Sequence, residues 1–415
     1  MLLAGCVGPM IALEGGTPAT GTPVSSKVQP QAETTVLPEI RGLWVTRWNF
    51  KTADDVRRIV REAHEAGFNA LFWQVRGNGD AFYRSRLEPW GAELSGKLGK
   101  DPGFDPLRIV LDEAHARGMQ VHAWMNAYPM WRGKTAPPQS QAGPTVPLQI
   151  YLAHPEWRAM DDKGKVIDLN DHYVFASPGI PAVKKYIAAV ARDIVKRYDV
   201  DGIHLDYIRY GGRQYSHDPV SLKRFAAANR SAPTKGLREI GDHRRQSWED
   251  WQREQVNETV RGVYRGVKSA FASLRRDERA RRGTRPLLSA AVWGIYRDQW
   301  GWRASQGYSD YYQDPREWVR GGYVDFVCPM IYWPIKTPRG GRLDWATLTV
   351  DHIAGCGGNR VVAGIHANYE NFEEIAAEIE LARKHGARGV ALFAYPYLAE
   401  KKYFDNLATG PFREE

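Results

Sequence analysis

The sequence predicts an α/β protein, a (β/α)8 TIM barrel with long βα loops, and three observations carry that reading. Short apolar runs recur eight times between residues 42 and 395. Helix-like stretches separate nearly all of them, the pattern of parallel strands joined by crossover helices. Several of these helices stop at a glycine just before the next strand, at Gly67, Gly118 and Gly386, which suits a left-handed cap leading into an αβ turn. Eight such units suit a closed barrel, whereas a doubly wound open sheet rarely needs that many.

In order, the strand runs are GLWVTRW (42–48), ALFWQVR (70–76), QVHAWMNAY (120–128), GIHLDYIRY (202–210), LLSAAVWG (287–294), FVCPMIYW (326–333), VVAGIHA (361–367) and GVALFAY (389–395). They are mostly branched aliphatic and aromatic, as strands covered on both faces are. Helices are expected at 54–67, 106–118, 181–198 and 372–386, where apolar residues return every three or four positions. The loops after the second, third and fourth strands are long, and they fall on the side where barrels build active sites. One of them, AYPMWRGKTAPPQSQAGPTVP (127–147), holds five prolines and Trp131 and reads as a wall for a long cleft.

Composition frames what such a barrel does. The chain has 415 residues, 43% of them hydrophobic, with 15 Trp, 20 Tyr and a formal charge of +9. Residues 222–285 hold 17 Lys and Arg against 8 Asp and Glu, an excess equal to the whole net charge. Within that segment Trp251, Val256, Val260, Val263, Val267 and Phe271 recur at helical spacing, so the charges read first as a solvated helix face. Attraction to an anionic polymer or membrane surface is the other reading, and no motif for nucleic acid accompanies it.

The three cysteines make no disulfide framework. Cys328 and Cys356 read as small buried hydrophobes. Cys6 follows Leu3, Ala4 and Gly5 and precedes a stretch rich in Pro, Thr and Ser. LLAGC resembles the lipobox of bacterial lipoproteins, with Cys6 as the lipidated residue of a membrane anchor. Only five residues precede it, too few for a charged segment and an apolar core, so a start further upstream is expected. The organisation read from the chain is a signal remnant at 1–6, a flexible linker at 7–37, the barrel at 38–402 and a C-terminal tail at 403–415.

Alternate residues of a barrel strand face the helices or the barrel axis. In the fourth strand, with Ile203, Leu205 and Tyr207 toward the helices, His204 and Asp206 point inward, Asp206 nearer the mouth. The same rule turns His122, Trp124 and Asn126 inward from the third strand, and Phe72, Gln74 and Arg76 from the second. A folding core needs no such polar residues. His122 and His204 are compatible with hydrogen-bonded structural roles, whereas Asp206, with Arg209 and Tyr210 beyond it, is placed as a catalytic or ligand-binding group.

Several blocks in order, RGLWVTRW, NALFWQVRGNGDAFYRSRLEPW, DGIHLDYIRY, YSDYYQDPREWVRGGYVDFVCPMIYW and GVALFAY, resemble the glycosyl-hydrolase-like family ten over nearly all of residues 40–400. The resemblance implies a TIM-barrel glycosidase, often a lipoprotein of the cell envelope, in a family that includes enzymes cutting peptidoglycan strands stripped of their stem peptides. Family motifs fall on Gln74, Arg76, Asp80 and Tyr83, on His204, Asp206, Tyr207 and Arg209, and on Asp310, Asp314 and Tyr332. Some relatives read DDYFYP where this chain has LDYIRYG, which leaves Asp206 in place.

Most glycosidases flank the scissile bond with two carboxyl groups. Asp206 is the candidate nucleophile or base. Asp310 is the first candidate acid, with Asp298, Asp80 and Glu88 behind it. Arg76, Arg209 and Asn126 would orient hydroxyls or steady developing charge, with Gln74, Asp80, His204 and Tyr210 completing the substrate-binding set. Trp44, Trp124, Trp293, Tyr332 and Trp333 would offer faces for sugar rings. No cofactor is expected. Two other functions compete: a non-catalytic glycan-binding lipoprotein, and a zinc hydrolase using His122, His204, Asp206 and His366. No paired HxH or HExxH spacing supports the zinc site.

Overall fold

A computed structural model describes residues 38–138, 146–230, 247–335 and 343–413. Cys6, the 7–37 linker and part of the proline-rich loop lie outside them.

The ten described strands are β1 (Ile40–Val45), β2 (Ala70–Arg76), β3 (Gln120–Asn126), β4 (Pro129–Gly133), β5 (Asn170–Phe175), β6 (Gly202–Asp206), β7 (Leu287–Trp293), β8 (Phe326–Ile331), β9 (Val362–His366) and β10 (Gly389–Phe393). Eight of them close a barrel in the order β1-β10-β9-β8-β7-β6-β3-β2, and every neighbouring pair is parallel. These eight are the expected strands; β2 ends with its apolar run at Arg76, and the other seven end one to four residues before theirs. Helices Ala53–Glu65, Pro106–His115, Pro181–Arg197 and Phe372–Lys384 fill the predicted positions. The first starts at a capping box, in which Thr52 and Asp55 satisfy each other's backbone N–H groups. Gly67, Gly118 and Gly386 have φ of +84°, +70° and +78°, the left-handed caps expected of them.

Two apolar layers hold the barrel. Ile40, Trp44, Phe72, Trp124, Phe326 and Cys328 pack inside it, while Leu43, Leu71, Val121, Ile203 and Val327 pack outward under the helices. Gly202 pairs with His122 in register, and a side chain at Gly202 would collide with the His122 ring. Cys328 and Cys356 are free and buried. The basic helix Trp248–Ala272 buries Trp251, Val256, Val260, Val263 and Val267. Several of its segment's arginines are spent on intramolecular pairs, such as Arg253 with Asp250 and Arg281 with Asp199 at 2.8 Å. Among the described residues no helix is long and apolar enough to cross a membrane.

Three features depart from the sequence reading. Residues 404–409 form a helix, and Phe412 is buried edge-on against Phe68 at 5.2 Å, so 403–413 belongs to the barrel rather than to a tail. β4 and β5 pair antiparallel as a two-stranded ribbon above β3, where only a loop was expected. Its strands lie far apart in sequence, and such non-local pairing leaves no local period. Third, the register of β2 shifts between Gln74 and Arg76. Gln74 pairs with inward-facing Trp124, but Arg76 pairs with outward-facing Met125. The bulge inserts one residue and turns Arg76 out of the barrel.

Candidate active site

A cavity of about 580 Å³ opens at the C-terminal mouth of the barrel. Its polar floor comes from three neighbouring strands: Gln74 of β2, Asn126 of β3 and Asp206 of β6. Asn126 and Asp206 are register partners. Asn126 accepts the Trp124 indole N–H at 3.1 Å and donates to the Gly77 carbonyl at 3.0 Å. Gln74 Oε1 accepts the Arg47 backbone N–H at 3.0 Å. Both amides are therefore held in fixed orientations.

Asp206 ends β6 with 8% of its surface exposed. Tyr207 donates its backbone N–H to Asp206 Oδ1 at 2.6 Å. Burial pushes the carboxyl up to about 6, against the opposing pull of that N–H, Arg209 and Trp124. Tyr207 has φ of 48°, a costly conformation for a bulky residue. The turn breaks the alternation of β6, so Tyr207, assigned from sequence to the helix face, swings into the cavity wall beside Arg209. The Arg209 guanidinium lies 4.7 Å from the Tyr207 ring, 4.7 Å from Tyr311 and 5.4 Å from Trp293.

Much of the remaining wall is aromatic. Trp44, Trp124, Trp293, Tyr332 and Trp333 all line it, joined by Phe393. Tyr332 stacks on Phe393 at 5.3 Å. Trp293 leans on Tyr311 at 4.4 Å and donates its indole N–H to the Ser305 carbonyl at 2.6 Å. Such faces suit the apolar faces of sugar rings, while Arg209 and the floor amides suit hydroxyls.

The structure takes several sequence candidates elsewhere. Arg76 does not line the cavity: buried behind the bulge, its Nε meets Glu88 at 2.8 Å and its Nη1 reaches the carbonyls of Asn126, Ala127 and Pro129. Tyr186 donates its hydroxyl to Glu88 at 3.2 Å, so Glu88 is enclosed in this cluster. Asp80 accepts the Asn78 N–H at 2.9 Å and lines a neighbouring cavity. Tyr83 packs edge-on against Tyr198 at 5.8 Å. Tyr210 is buried edge-on against Tyr312 at 5.1 Å.

His204 is sealed beneath the cavity floor. Trp44 donates its indole N–H to Nε2 at 3.2 Å, which leaves Nδ1–H to donate to Ser289 Oγ at 2.9 Å. Burial holds its pKa well below the ordinary histidine value, and the neutral ring is complete. His122 sits between Phe72 and Phe326, and burial lowers it to about 4. Among the described residues, no three His, Cys, Asp or Glu side chains gather where a metal ion could be held.

The acids expected from the loops are engaged as scaffold. Asp310 pairs with Arg213 at 2.5 Å and accepts the Gln306 N–H at 2.9 Å, outside the cavity. It ends the short helix Gly307–Asp310, and the next residue, Tyr311, packs on Trp293 and Arg209 of the cavity wall. Asp298 accepts the backbone N–H groups of Trp300, Trp302 and Arg303. Asp314 caps the helix Pro315–Arg320.

Sequence reasoning missed the contribution of the ribbon. Arg132 of β4 and Asp171, His172 and Tyr173 of β5 complete the cavity, together with Trp48 after β1. Asp171 is the second carboxylate lining this cavity among the described residues. It is exposed and pairs with Lys134 at 3.0 Å. The polar stretch around 170 gave no signal, because a chain's sequence does not say which remote loop it will pair with.

The model of the family described as Glycosyl hydrolase-like 10 matches residues 39–351. Glycosyl hydrolase DigH of Escherichia coli (strain K12) is 28% identical over 347 residues, covering 77% of this chain and 70% of DigH. Glycosyl hydrolase YngK of Bacillus subtilis (strain 168) is 27% identical over 319 residues, covering 72% of this chain and 54% of YngK. Among solved structures, the PgaB (BpsB) glycoside hydrolase domain from Bordetella bronchiseptica superposes with a TM-score of 0.56 at 14% identity, covering 89% of this chain and 98% of that domain. The catalytic domain of β-amylase from Paenibacillus polymyxa gives 0.54 at 12% identity, covering 86% and 92%. These structural likenesses carry the barrel fold, and the sequence relationship carries a glycosidase-like function. The chain belongs to the glycosyl hydrolase-like 10 family.

Proposed function

We propose that this barrel hydrolyses glycosidic bonds in a bacterial polysaccharide, with Asp206 as the proton donor. The observation that carries the reading is a buried carboxyl, pushed up to about 6, on the floor of an aromatic-walled cavity. Such a group keeps its proton up to about pH 6, well beyond an ordinary carboxyl, and can give it to a leaving oxygen. This reverses the role expected from sequence, nucleophile or base, because the carboxyl's surroundings favour its neutral form.

In the proposed step Asp206 protonates the glycosidic oxygen as its bond to the anomeric carbon breaks. Water adds to that carbon, and Asp171 takes the proton water loses. Asp171 replaces Asp310 in the pair because it lines the same cavity. Arg209, Asn126 and Gln74 orient hydroxyls from the floor and wall.

The preferred substrate is the peptidoglycan glycan strand without stem peptides, which the family resemblance implies. Lipidation at Cys6 would tether the barrel to a membrane of the cell envelope, within reach of that polymer. Purified sacculi, with and without prior amidase stripping, test both claims when released sugars are read by mass spectrometry. Residues 38–415 should release oligosaccharides from stripped sacculi, and Asp206→Asn should not. Binding of stripped glycan by both proteins without release from either would favour a carbohydrate-binding lipoprotein instead.

A further inference from the structure

Beside the barrel mouth lies a second cavity of about 340 Å³. Trp48, Arg132 and Asp171 line both cavities, so the two are lobes of one cleft that turns at these residues. Their characters differ. The mouth lobe is walled by aromatic rings, whereas Arg47, Asn78, Asp80 and Glu93 line the second.

Trp48 stands at the junction. The turn that presents it is fixed: Thr46 donates its backbone N–H to Asn49 Oδ1 at 2.8 Å, and Asn49 returns its own N–H to the Thr46 carbonyl at 3.0 Å. Trp48 is nevertheless 47% exposed, a large apolar ring left in solvent. The Arg47 guanidinium lies 3.9 Å from its ring centre, and Glu93 at 2.9 Å, Asn78 at 3.1 Å and Tyr173 at 3.2 Å hold that guanidinium in place. Arg132 lies 5.4 Å from the same ring, with its Nε donating to the Asp171 carbonyl at 2.9 Å. A held indole, half open to solvent between a catalytic lobe and a polar lobe, is what a sugar ring stacks on.

Resting on the glycosidase reading, we propose that the second lobe binds the continuation of the polysaccharide chain, with Trp48 as the stacking platform between the lobes. The chain then lies across the mouth rather than ending in it, and the enzyme prefers long strands over short fragments. Polar groups of the second lobe meet hydroxyls of the continuing chain, and the aromatic lobe holds the sugars at the scissile bond.

Titration calorimetry in the Asp206→Asn background separates this inference from the reading beneath it, because nothing is cleaved during the measurement. Naked glycan strands and the repeating disaccharide are the probes. The expected result is tighter binding of the long strand, an advantage that Trp48→Ala cuts on the order of tenfold and Trp48→Phe largely keeps. An undiminished length advantage in Trp48→Ala, or disaccharide binding as tight as the strand's, would overturn the inference alone. Failure of the Asp206→Asn protein to bind either probe, with no cleavage by the parent, would overturn the glycosidase reading as well.

Discussion

Glu88 and Asp206 are both buried carboxylates near the mouth end of barrel strands, and the fold treats them in opposite ways. Glu88 is closed in by Arg76 and the Tyr186 hydroxyl, in a cluster where every member meets another. Asp206 receives the Tyr207 N–H and otherwise faces the cavity. Burial raises both pKa values; at Glu88 the rise is opposed first by the charge of Arg76, which is hydrogen-bonded to it, and at Asp206 first by the Tyr207 backbone N–H, with Arg209 and Trp124 adding to that pull. A buried charge met by an opposite charge is scaffold. One left facing open space near neutral pH is positioned for a ligand.

The largest effects should come from breaking each half of this comparison. Asp206→Asn should lower glycan cleavage by about 10²–10⁴-fold, the range for loss of a general acid, with circular dichroism unchanged. Arg76→Met should instead act on stability. It leaves Glu88 buried without its partner, which costs about 3–5 kcal/mol and should be visible as a lower midpoint in urea.

A subtler test uses the sign of the Asp206 shift. Its folded pKa of about 6 stands above the ordinary 3.8, so the native state binds this proton more tightly than the unfolded chain does. The resulting stability is present below pH 3.8 and is lost as pH rises through 6. Asp206→Asn removes that loss, and thermal melts should show it ~1–3 kcal/mol more stable than the parent at pH 8, with the gap closing toward pH 4. The smallest effect belongs to Asp310→Asn. Loss of its partly exposed bridge to Arg213 should change stability by no more than about 1 kcal/mol, and cleavage rates should stay at the parent level.

The same comparison shows where sequence is legible. Alternation placed Trp124, Asn126 and Asp206 correctly toward the barrel axis because β3 and β6 are regular along those residues. It misplaced Arg76 and Tyr207 because one follows a bulge and the other a left-handed turn. Neither irregularity has a composition signature in LFWQVRGN or HLDYIRYG. The eight-strand count and the glycine caps are local features and could be read directly. Arg132, Asp171 and Tyr173 reach the site through a ribbon whose strands lie far apart in the chain, so their placement follows from tertiary pairing alone. Trp48 was read as the last residue of a strand, but β1 ends at Val45 and the turn after it carries the ring into solvent.

The most direct test of the account is the pH dependence of kcat/KM for cleavage of stripped glycan strands. If Asp206 is the proton donor, activity should decline as pH rises through about 6, and Asp206→Glu should move that limb. Activity that instead rises through the same pH would make Asp206 an ionised base or nucleophile, contradicting the account, as would an Asp206→Asn protein with the parent's rate and profile.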